Sequence, residues 1–184
     1  MHMAQLVLVA SDAQADTSPT GGFISPVDGE ASSSFCHFKP VLGTWGYQDG
    51  DPITCIASCE CSMIIVTSWT LRVKLRGRRI LWLVDNSASL HALIKGTSSN
   101  PTLGRAVELY HMFCYWFQVT VWFEFVDSDS NFADGISRDL HEDSFSRGLG
   151  ITPCECFVHT WMWSDSLTQV WASFERAALG ITAS

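Results

Sequence analysis

Residues 80–96, ILWLVDNSASLHALIKG, constrain the fold of this chain more than any other stretch. The five apolar residues from Ile80 to Val84 predict a buried strand, and the residues after it predict a helix that stops at Gly96. Asp85 comes directly at the end of the strand, where a buried carboxylate is costly unless something compensates its charge. The simplest compensation is that Asp85 caps the helix that follows.

Other elements are predicted on both sides of this strand. They are a strand over residues 6–10, a returning hairpin strand at GGFIS, helices over 53–75 and 101–117, a strand over 119–126, and a short helix or turn at FADGISRDL. Strands that alternate with helices after an initial hairpin are typical of α/β proteins. We therefore expect a mixed sheet, with initial antiparallel hairpin strands and later parallel strands, flanked by helices.

Two regions are less regular. Residues 25–52 are rich in Ser, Gly, Pro and Asp, and we expect one further strand there, near 36–38 or 41–47. The residues after 140 are rich in Trp and show no strong period. We expect a domain over residues 1–140 and a Trp-rich C-terminal extension over 141–184.

The composition narrows the class of protein. Of the 184 residues, 47% are hydrophobic and 12% are aromatic, which is enough for a sizeable core. The formal net charge of −8 argues against a chain that binds nucleic acid mainly through its net field. Seven cysteines without a CxxC pair favour reduced thiols and an intracellular protein, in a compartment that the sequence does not specify. No apolar run has the length of a membrane span.

Four carboxylates occupy positions where they can meet. Asp12 and Asp85 each end a predicted strand, and Asp134 lies at the start of a short helix. Glu60 is the only charged residue in the stretch CIASCECSMIIVTSW of the first predicted helix. If the two strands are neighbours, Asp12 and Asp85 emerge side by side. Charges so close raise each other's pKa unless a divalent cation neutralises them, and hard oxygen ligands favour Mg²⁺ or Mn²⁺. Taken singly, each is simpler to explain as a helix cap, a solvated helix residue or a loop residue.

Two stretches resemble a known family. ILWLVDNSASLHALIKGTSSNP, followed by VWFEFVDSDSNFADGISRD, is similar to the ribonuclease H domain attached to reverse transcriptases of retroelements. Members carry a strand that ends in Asp-Asn, an ALxKG helix, and later the motif W-x-P-S-x-x-N-x-A-D-x-x-S-R. This chain has five residues of that motif, Asn131, Ala133, Asp134, Ser137 and Arg138, and has VDSDS where a proline is common. Upstream, ASDAQ and the CECSMIIVTSW helix resemble the family's first strand and first helix.

The resemblance implies a ribonuclease H-like mixed sheet and a two-metal phosphodiester hydrolase that cleaves the RNA strand of RNA–DNA hybrids. Two Mg²⁺ or Mn²⁺ ions are expected if the enzyme is active. The implied catalytic residues and metal ligands are Asp12, Glu60, Asp85 and Asp134. The implied substrate-binding residues are Asn86, Ser87, Asn131 and Arg138. Asn86 and Ser87 are also good residues for the start of a helix, which is the simpler explanation for both.

Other interpretations stay open. The sequence shows no reverse-transcriptase polymerase core, so we expect a fragment of a retroelement polyprotein or a stand-alone descendant. Such a domain could be co-opted, catalytically silent and a structural or interaction subunit of a larger assembly, with protein partners bound through the Trp-rich tail. A nuclease of the same fold acting on DNA junctions is a third alternative. The basic run over 72–79 would grip hybrid phosphates or, as we prefer, form a solvated helix end and turn.

Overall fold

A computed structural model describes residues 6–14, 20–26, 33–38, 52–139, 144–148, 152–155, 159–164 and 166–180. Its sheet has six strands in the order β5-β4-β1-β2-β3-β6. The strands are β1 (Leu6–Gln14), β2 (Thr20–Pro26), β3 (Ser33–Phe38), β4 (Arg79–Val84), β5 (Thr120–Phe125) and β6 (Thr152–Glu155). Strands β1, β4 and β5 run parallel, β2 is antiparallel to both β1 and β3, and β6 runs parallel to β3.

Helices flank this sheet, which confirms the predicted mixed α/β class. They are α1 (Pro52–Thr70), α2 (Arg72–Leu75), α3 (Ser87–Lys95), α4 (Pro101–Phe117), α5 (Asp134–Asp139), α6 (Ser144–Gly148) and α7 (Leu167–Leu179). The sequence explains the ends of α3: the Asn86 side chain accepts a hydrogen bond from the Ser89 backbone N–H, and Gly96 closes the helix at φ 78°. A similar asparagine cap, Asn100, precedes Pro101 at the start of α4.

Two predicted elements differ from the structure in their boundaries. The helix predicted over 53–75 is interrupted at Leu71, where α1 ends and the short α2 begins. The Thr70 hydroxyl donates to the Val66 carbonyl oxygen at 2.8 Å, a bond with the preceding turn that is frequent where helices bend or stop. The strand expected at 36–38 is the end of β3, whereas its alternative at 41–47 lies outside the described residues.

Helix α1 forms the centre of the core. Its residues from Ser58 to Trp69 are all buried, because α1 packs on β1 on one side and on α4 on the other. A helix that is buried on all sides needs apolar or small residues around its whole circumference, and the run CSMIIVTSW supplies them. In β4, the fully buried Trp82 donates its indole N–H to the Ser11 hydroxyl of β1 at 2.9 Å.

The segments beyond residue 140 share the same sheet and core. Strand β6 pairs with β3, and α7 packs against α4. Helix α7 was not predicted, yet its signals are present: Ser166 caps it, Gly180 ends it, and Val170, Phe174 and Ala178 recur at four-residue steps and are buried. The division of the chain at residue 140 stays a prediction.

Two expectations from composition concern membranes and thiols. No helix within the described ranges is long and apolar enough to cross a membrane. Cys61 and Cys114 carry free thiols. Cys61 is buried in the core, and this burial raises the pKa of its thiol to about 12. The thiol is therefore a poor nucleophile. The intracellular location stays a prediction.

Candidate metal centre

Two parallel strands bring the first two carboxylates together. Strands β1 and β4 are neighbours, and Ala10 lies opposite Leu83. Two residues further along the same register, Asp12 comes level with Asp85, just beyond the end of β4. The observed strand pairing therefore places Asp12 and Asp85 side by side, as predicted.

Helix α1 supplies the third carboxylate. Glu60 lies on the part of α1 that packs on β1, and its Oε1 accepts a hydrogen bond from the Ala13 backbone N–H at 3.4 Å. One carboxylate oxygen from each of Asp12, Glu60 and Asp85 lies within 4.8 Å of the others. Asp12 is 5% exposed and Glu60 is 3% exposed, so water screens their charges poorly. These three residues are the carboxylate cluster.

The charges in this cluster are unfavourable without a cation. Burial raises the pKa of Asp12 to about 6, to which Asp85 adds, while a hydrogen bond from Ser137 acts in the opposite direction. Burial, and then the charges of Asp12 and Asp85, raise the pKa of Glu60 well above its ordinary value. Glu60 Oε2 and Asp85 Oδ1 are buried without a hydrogen-bond partner. Two orphaned carboxylate oxygens among converging carboxylates fit a hard divalent cation such as Mg²⁺ or Mn²⁺.

The fourth carboxylate, Asp134, lines a cavity together with the carboxylate cluster but has a different partner. This cavity has a volume of about 390 Å³, and its lining includes the carboxylate cluster together with Asp134, Asn86 and Arg138. Asp134, the first residue of α5, is not among the carboxylates that lie within 4.8 Å of one another. Its Oδ1 instead contacts Arg138 Nη2 at 2.7 Å. The structure therefore brings three of the four predicted ligands together and places the fourth beside them.

Two serines orient the carboxylates. The Ser137 hydroxyl of α5 donates to Asp12 Oδ2 and lies 2.9 Å from the Asp134 carbonyl oxygen. The Ser128 hydroxyl, in the 3-10 turn after β5, donates to Asp85 Oδ2 at 3.0 Å. Neither contact was predicted. The position of Ser128 was a usable signal, because β5 runs parallel to β4 and its carboxyl end must lie near Asp85.

The interpretation of Asp85 as a helix cap is wrong. Asn86 is the N-cap of α3: its Oδ1 accepts from the Ser89 N–H at 3.0 Å and from the Ser89 hydroxyl at 3.1 Å. Asp85 instead lines the cavity and accepts a hydrogen bond from Ser128. Ser87 is exposed at the first position of α3, where its carbonyl oxygen contacts the His91 ring.

Asn131 connects the last motif to the first strand. It is 4% exposed; its Nδ2 donates to the Ser11 carbonyl oxygen at 3.2 Å, and its Oδ1 accepts from the Ala133 N–H at 3.1 Å. These bonds place α5 against β1, so that Ser137 reaches Asp12. The predicted contact of Asn131 with substrate stays a prediction.

The basic run lies at the opposite end of β4 from Asp85. Arg79 begins that strand, so the length of β4, roughly 20 Å, separates the two ends. Arg72 lies 4.7 Å from the centre of the Trp69 ring and donates to the Trp69 carbonyl oxygen at 2.9 Å. Arg76 donates to the Ala178 carbonyl oxygen of α7 at 2.6 Å. These contacts favour a structural role for the basic run over contact with hybrid phosphates.

With this geometry in place, solved structures supply a comparison. Ribonuclease H1 from Halobacterium salinarum NRC-1 is similar at a TM-score of 0.55, with 13% identity over 76% of this chain and 100% of that one. The fold is ribonuclease H-like. A second neighbour is the N-terminal ribonuclease H domain of a Mycobacterium tuberculosis protein, solved as a fusion with maltose-binding protein. Its TM-score is 0.54, with 12% identity over 78% of this chain and 98% of that one. A third is a ribonuclease H1 isolated from compost by a metagenomic approach, with a TM-score of 0.53 and 11% identity over 80% of this chain and 99% of that one.

These neighbours establish the ribonuclease H-like fold and, at 11–13% identity, the fold alone. No protein-family model and no curated protein matches the sequence.

Proposed function

We propose that this chain is a metal-dependent endoribonuclease that cleaves the RNA strand of RNA–DNA hybrids and derives from a retroelement polyprotein. One observation carries the proposal: three carboxylates from β1, α1 and the end of β4 converge within 4.8 Å on a ribonuclease H-like fold. A chain freed from catalysis has no physical reason to keep such charges together in a poorly hydrated site. The retroelement origin rests on the motif around Asn131–Arg138.

We assign the catalytic roles to Asp12, Glu60, Asp85 and Asp134, all of which line one cavity. The first three would hold one divalent ion between them, and Asp134 would complete the site for a second. Bound Mg²⁺ or Mn²⁺ would supply an activated water and Lewis acidity for hydrolysis of the phosphodiester. The orphaned oxygens of Glu60 and Asp85 are the atoms available for such ions.

The protein's own contribution is to hold these ligands in place. Ser137 fixes the rotamer of Asp12, and Ser128 fixes that of Asp85, by hydrogen bonds to one oxygen of each carboxylate. The second oxygen of Asp85, Oδ1, is buried and has no hydrogen-bond partner, so it is available to an ion. Ligands whose rotamers are fixed by such bonds need little reorganisation when an ion binds.

The proposed substrate contacts lie on the cavity and at its edge. Asn86 and Arg138 line the cavity, and Ser87 is exposed at the start of α3 beside Asn86. Arg138 is 61% exposed, so its guanidinium can reach a phosphate at the mouth of the cavity. Asn86 and Ser87 carry groups that can contact the ribose 2′-OH, the group that distinguishes RNA from DNA.

A second candidate function is a catalytically silent interaction subunit, and exposed aromatic residues favour it. Trp171 of α7 is 39% exposed and stacks on Tyr115 of α4, which is 60% exposed, at 5.5 Å between ring centroids. Aromatic residues on a surface are typical of protein–protein interfaces. Together with the net charge of −8, this pair would suit a protein partner better than a nucleic acid.

Hybrid cleavage separates the two candidates. The purified protein is incubated with a labelled RNA–DNA hybrid and Mg²⁺, beside Asp85→Asn and the control Glu108→Gln, which removes an exposed carboxylate from α4. The enzyme proposal is supported if the parent and the control both cleave the hybrid and Asp85→Asn cleaves it at least about 100-fold more slowly. A parent that does not cleave the hybrid but associates stably with another protein supports the interaction subunit.

A further inference from the structure

The fourth carboxylate differs from the others in the kind of partner that it has. Asp12 and Asp85 accept hydrogen bonds from serine hydroxyls, which carry no net charge. Asp134 contacts the guanidinium of Arg138, so its negative charge is neutralised by a full positive charge at 2.7 Å. Both residues belong to α5, four positions apart and with the acid first, which is the favoured orientation for such a pair.

The pair is placed where it can open. The side chain of Asp134 is 26% exposed and that of Arg138 is 61% exposed, and both line the cavity that contains the carboxylate cluster. Ion pairs exposed to this degree change an equilibrium only about two- to five-fold. A competing anion at the cavity can therefore displace Asp134 from the guanidinium at little cost.

We propose that Arg138 is a positioning residue that withholds Asp134 from metal binding until a substrate phosphate takes its place on the guanidinium. An ion that needs Asp134 must first compete with Arg138. A guanidinium binds carboxylate and phosphate with the same fork of N–H groups, so a phosphate is a direct substitute for Asp134. Full metal occupancy would thereby be coupled to the presence of substrate. This inference rests on the proposed function, because it assumes that the cluster binds divalent ions.

The first test measures Mn²⁺ binding to the full chain by isothermal titration calorimetry, without nucleic acid. Arg138→Gln is expected to tighten the weaker Mn²⁺-binding event about two- to five-fold, since the competing charge is gone. In an Asp134→Asn background the same substitution should change Mn²⁺ affinity less than about 1.5-fold, because the partner of the pair is missing. Lys95→Gln, which removes a positive charge from the exposed end of α3, is the control for net charge.

The outcomes distinguish this inference from the proposed function. If the parent and Arg138→Gln bind Mn²⁺ equally, the inference is overturned while the metal centre stands. An effect of Arg138→Gln that persists in Asp134→Asn also overturns it, because the arginine would then act through its general field and not through the pair. A parent that binds no Mn²⁺ contradicts the proposed function itself, and the inference with it.

The second test addresses the phosphate. The slope of log kcat/KM against log salt for hybrid cleavage counts the cation–phosphate contacts. In Arg138→Gln this slope should become shallower by about 1, whereas Lys95→Gln should leave it unchanged. A purely structural role of Arg138 would not move the slope, so an unchanged slope in Arg138→Gln contradicts the exchange with phosphate.

Discussion

The middle of helix α1, at Glu60, and its C-terminal end, at Trp69, are buried in opposite ways. Around Glu60 the chain buries three carboxylates whose charges repel one another. Nine residues further along the helix, about 14 Å away, Trp69 is buried among aromatic rings. Its ring centroid lies 4.8 Å from that of Trp161, 5.6 Å from that of Phe174 and 6.1 Å from that of Phe117. One helix therefore connects a destabilising site to a stabilising one.

The difference shows how the fold can maintain a costly site. Each well-placed aromatic pair contributes about 0.5–1.5 kcal/mol beyond its buried area, and the cluster around Trp69 contains several. Buried carboxylates act in the other direction, as the raised pKa values of Asp12 and Glu60 indicate. Because α1 is one rigid element, the aromatic end holds Glu60 in place against the repulsion. Substitutions at the carboxylate cluster and at the aromatic end should therefore have opposite effects on stability.

The largest expected effect is at the aromatic end. Phe174→Ala should lower the free energy of unfolding by about 3–5 kcal/mol, since Phe174 is fully buried and contacts Trp69, Phe113 and Trp161. Urea denaturation followed by tryptophan fluorescence measures it. The exposed Trp171 on the same helix is the control, and Trp171→Ala should cost much less. A main unfolding transition unaffected by Phe174→Ala would show that the tail is an independent appendage, as the division at residue 140 predicts.

In the middle of α1, Glu60→Gln should change stability and activity in opposite directions. The substitution keeps the shape of the side chain and removes an ionisable group whose charged form is disfavoured by burial, so the metal-free protein should become more stable, by on the order of 1 kcal/mol at pH 8. Cleavage of the hybrid should fall at least about 100-fold, because a proposed metal ligand is lost. Thermal unfolding in EDTA and the hybrid assay measure the two effects. A loss of stability in the metal-free state would contradict the repulsion argument.

The pH dependence of the metal-free protein tests the same repulsion. Asp12 has a pKa of about 6 in the folded state against an ordinary value of 3.8, so folding favours its protonated form. This contribution to stability, on the order of 2–3 kcal/mol, is complete below the unfolded pKa and is lost as the pH rises through about 6. Denaturation in EDTA between pH 4 and pH 8 should show the decline, and Asp12→Asn should flatten it. Glu108→Gln controls for net charge, and an equal flattening there would contradict the assignment to Asp12.

Much of the carboxylate cluster could be predicted from the sequence, because strand ends and helix caps are local signals. The strand of Ile80–Val84, the helix stop at Gly96 and the proximity of Asp12 to Asp85 follow from apolar runs and from parallel pairing. The partners of the carboxylates could not be predicted. Ser137 reaches Asp12 only because α5 crosses β1, and that crossing is set by tertiary packing, including the bonds of the buried Asn131.

Little of the aromatic end of α1 could be predicted from the sequence. Its Trp and Phe residues were visible in the composition, but an aromatic residue gives no sign of which ring it will contact. Helix α7 was missed although Ser166, Gly180 and the four-residue spacing of Val170 and Phe174 mark it. A tail with many Trp residues and few other periodic signals does not reveal that it completes a core formed by α1 and α4.

The smallest expected effect separates the carboxylate cluster from the aromatic end most cleanly. Mg²⁺ that binds only the folded protein should stabilise it by about 1.4 kcal/mol at ten times the dissociation constant, which raises the melting temperature of a chain of this size by about 3–6 °C. Asp85→Asn should abolish this shift, because Asp85 belongs to the carboxylate cluster. Phe174→Ala should keep the full shift from its lower starting temperature, since Phe174 contacts no carboxylate of the cluster. Differential scanning fluorimetry with and without Mg²⁺ measures both, and a shift lost equally in the two variants would mean that the aromatic end also determines the geometry of the metal site.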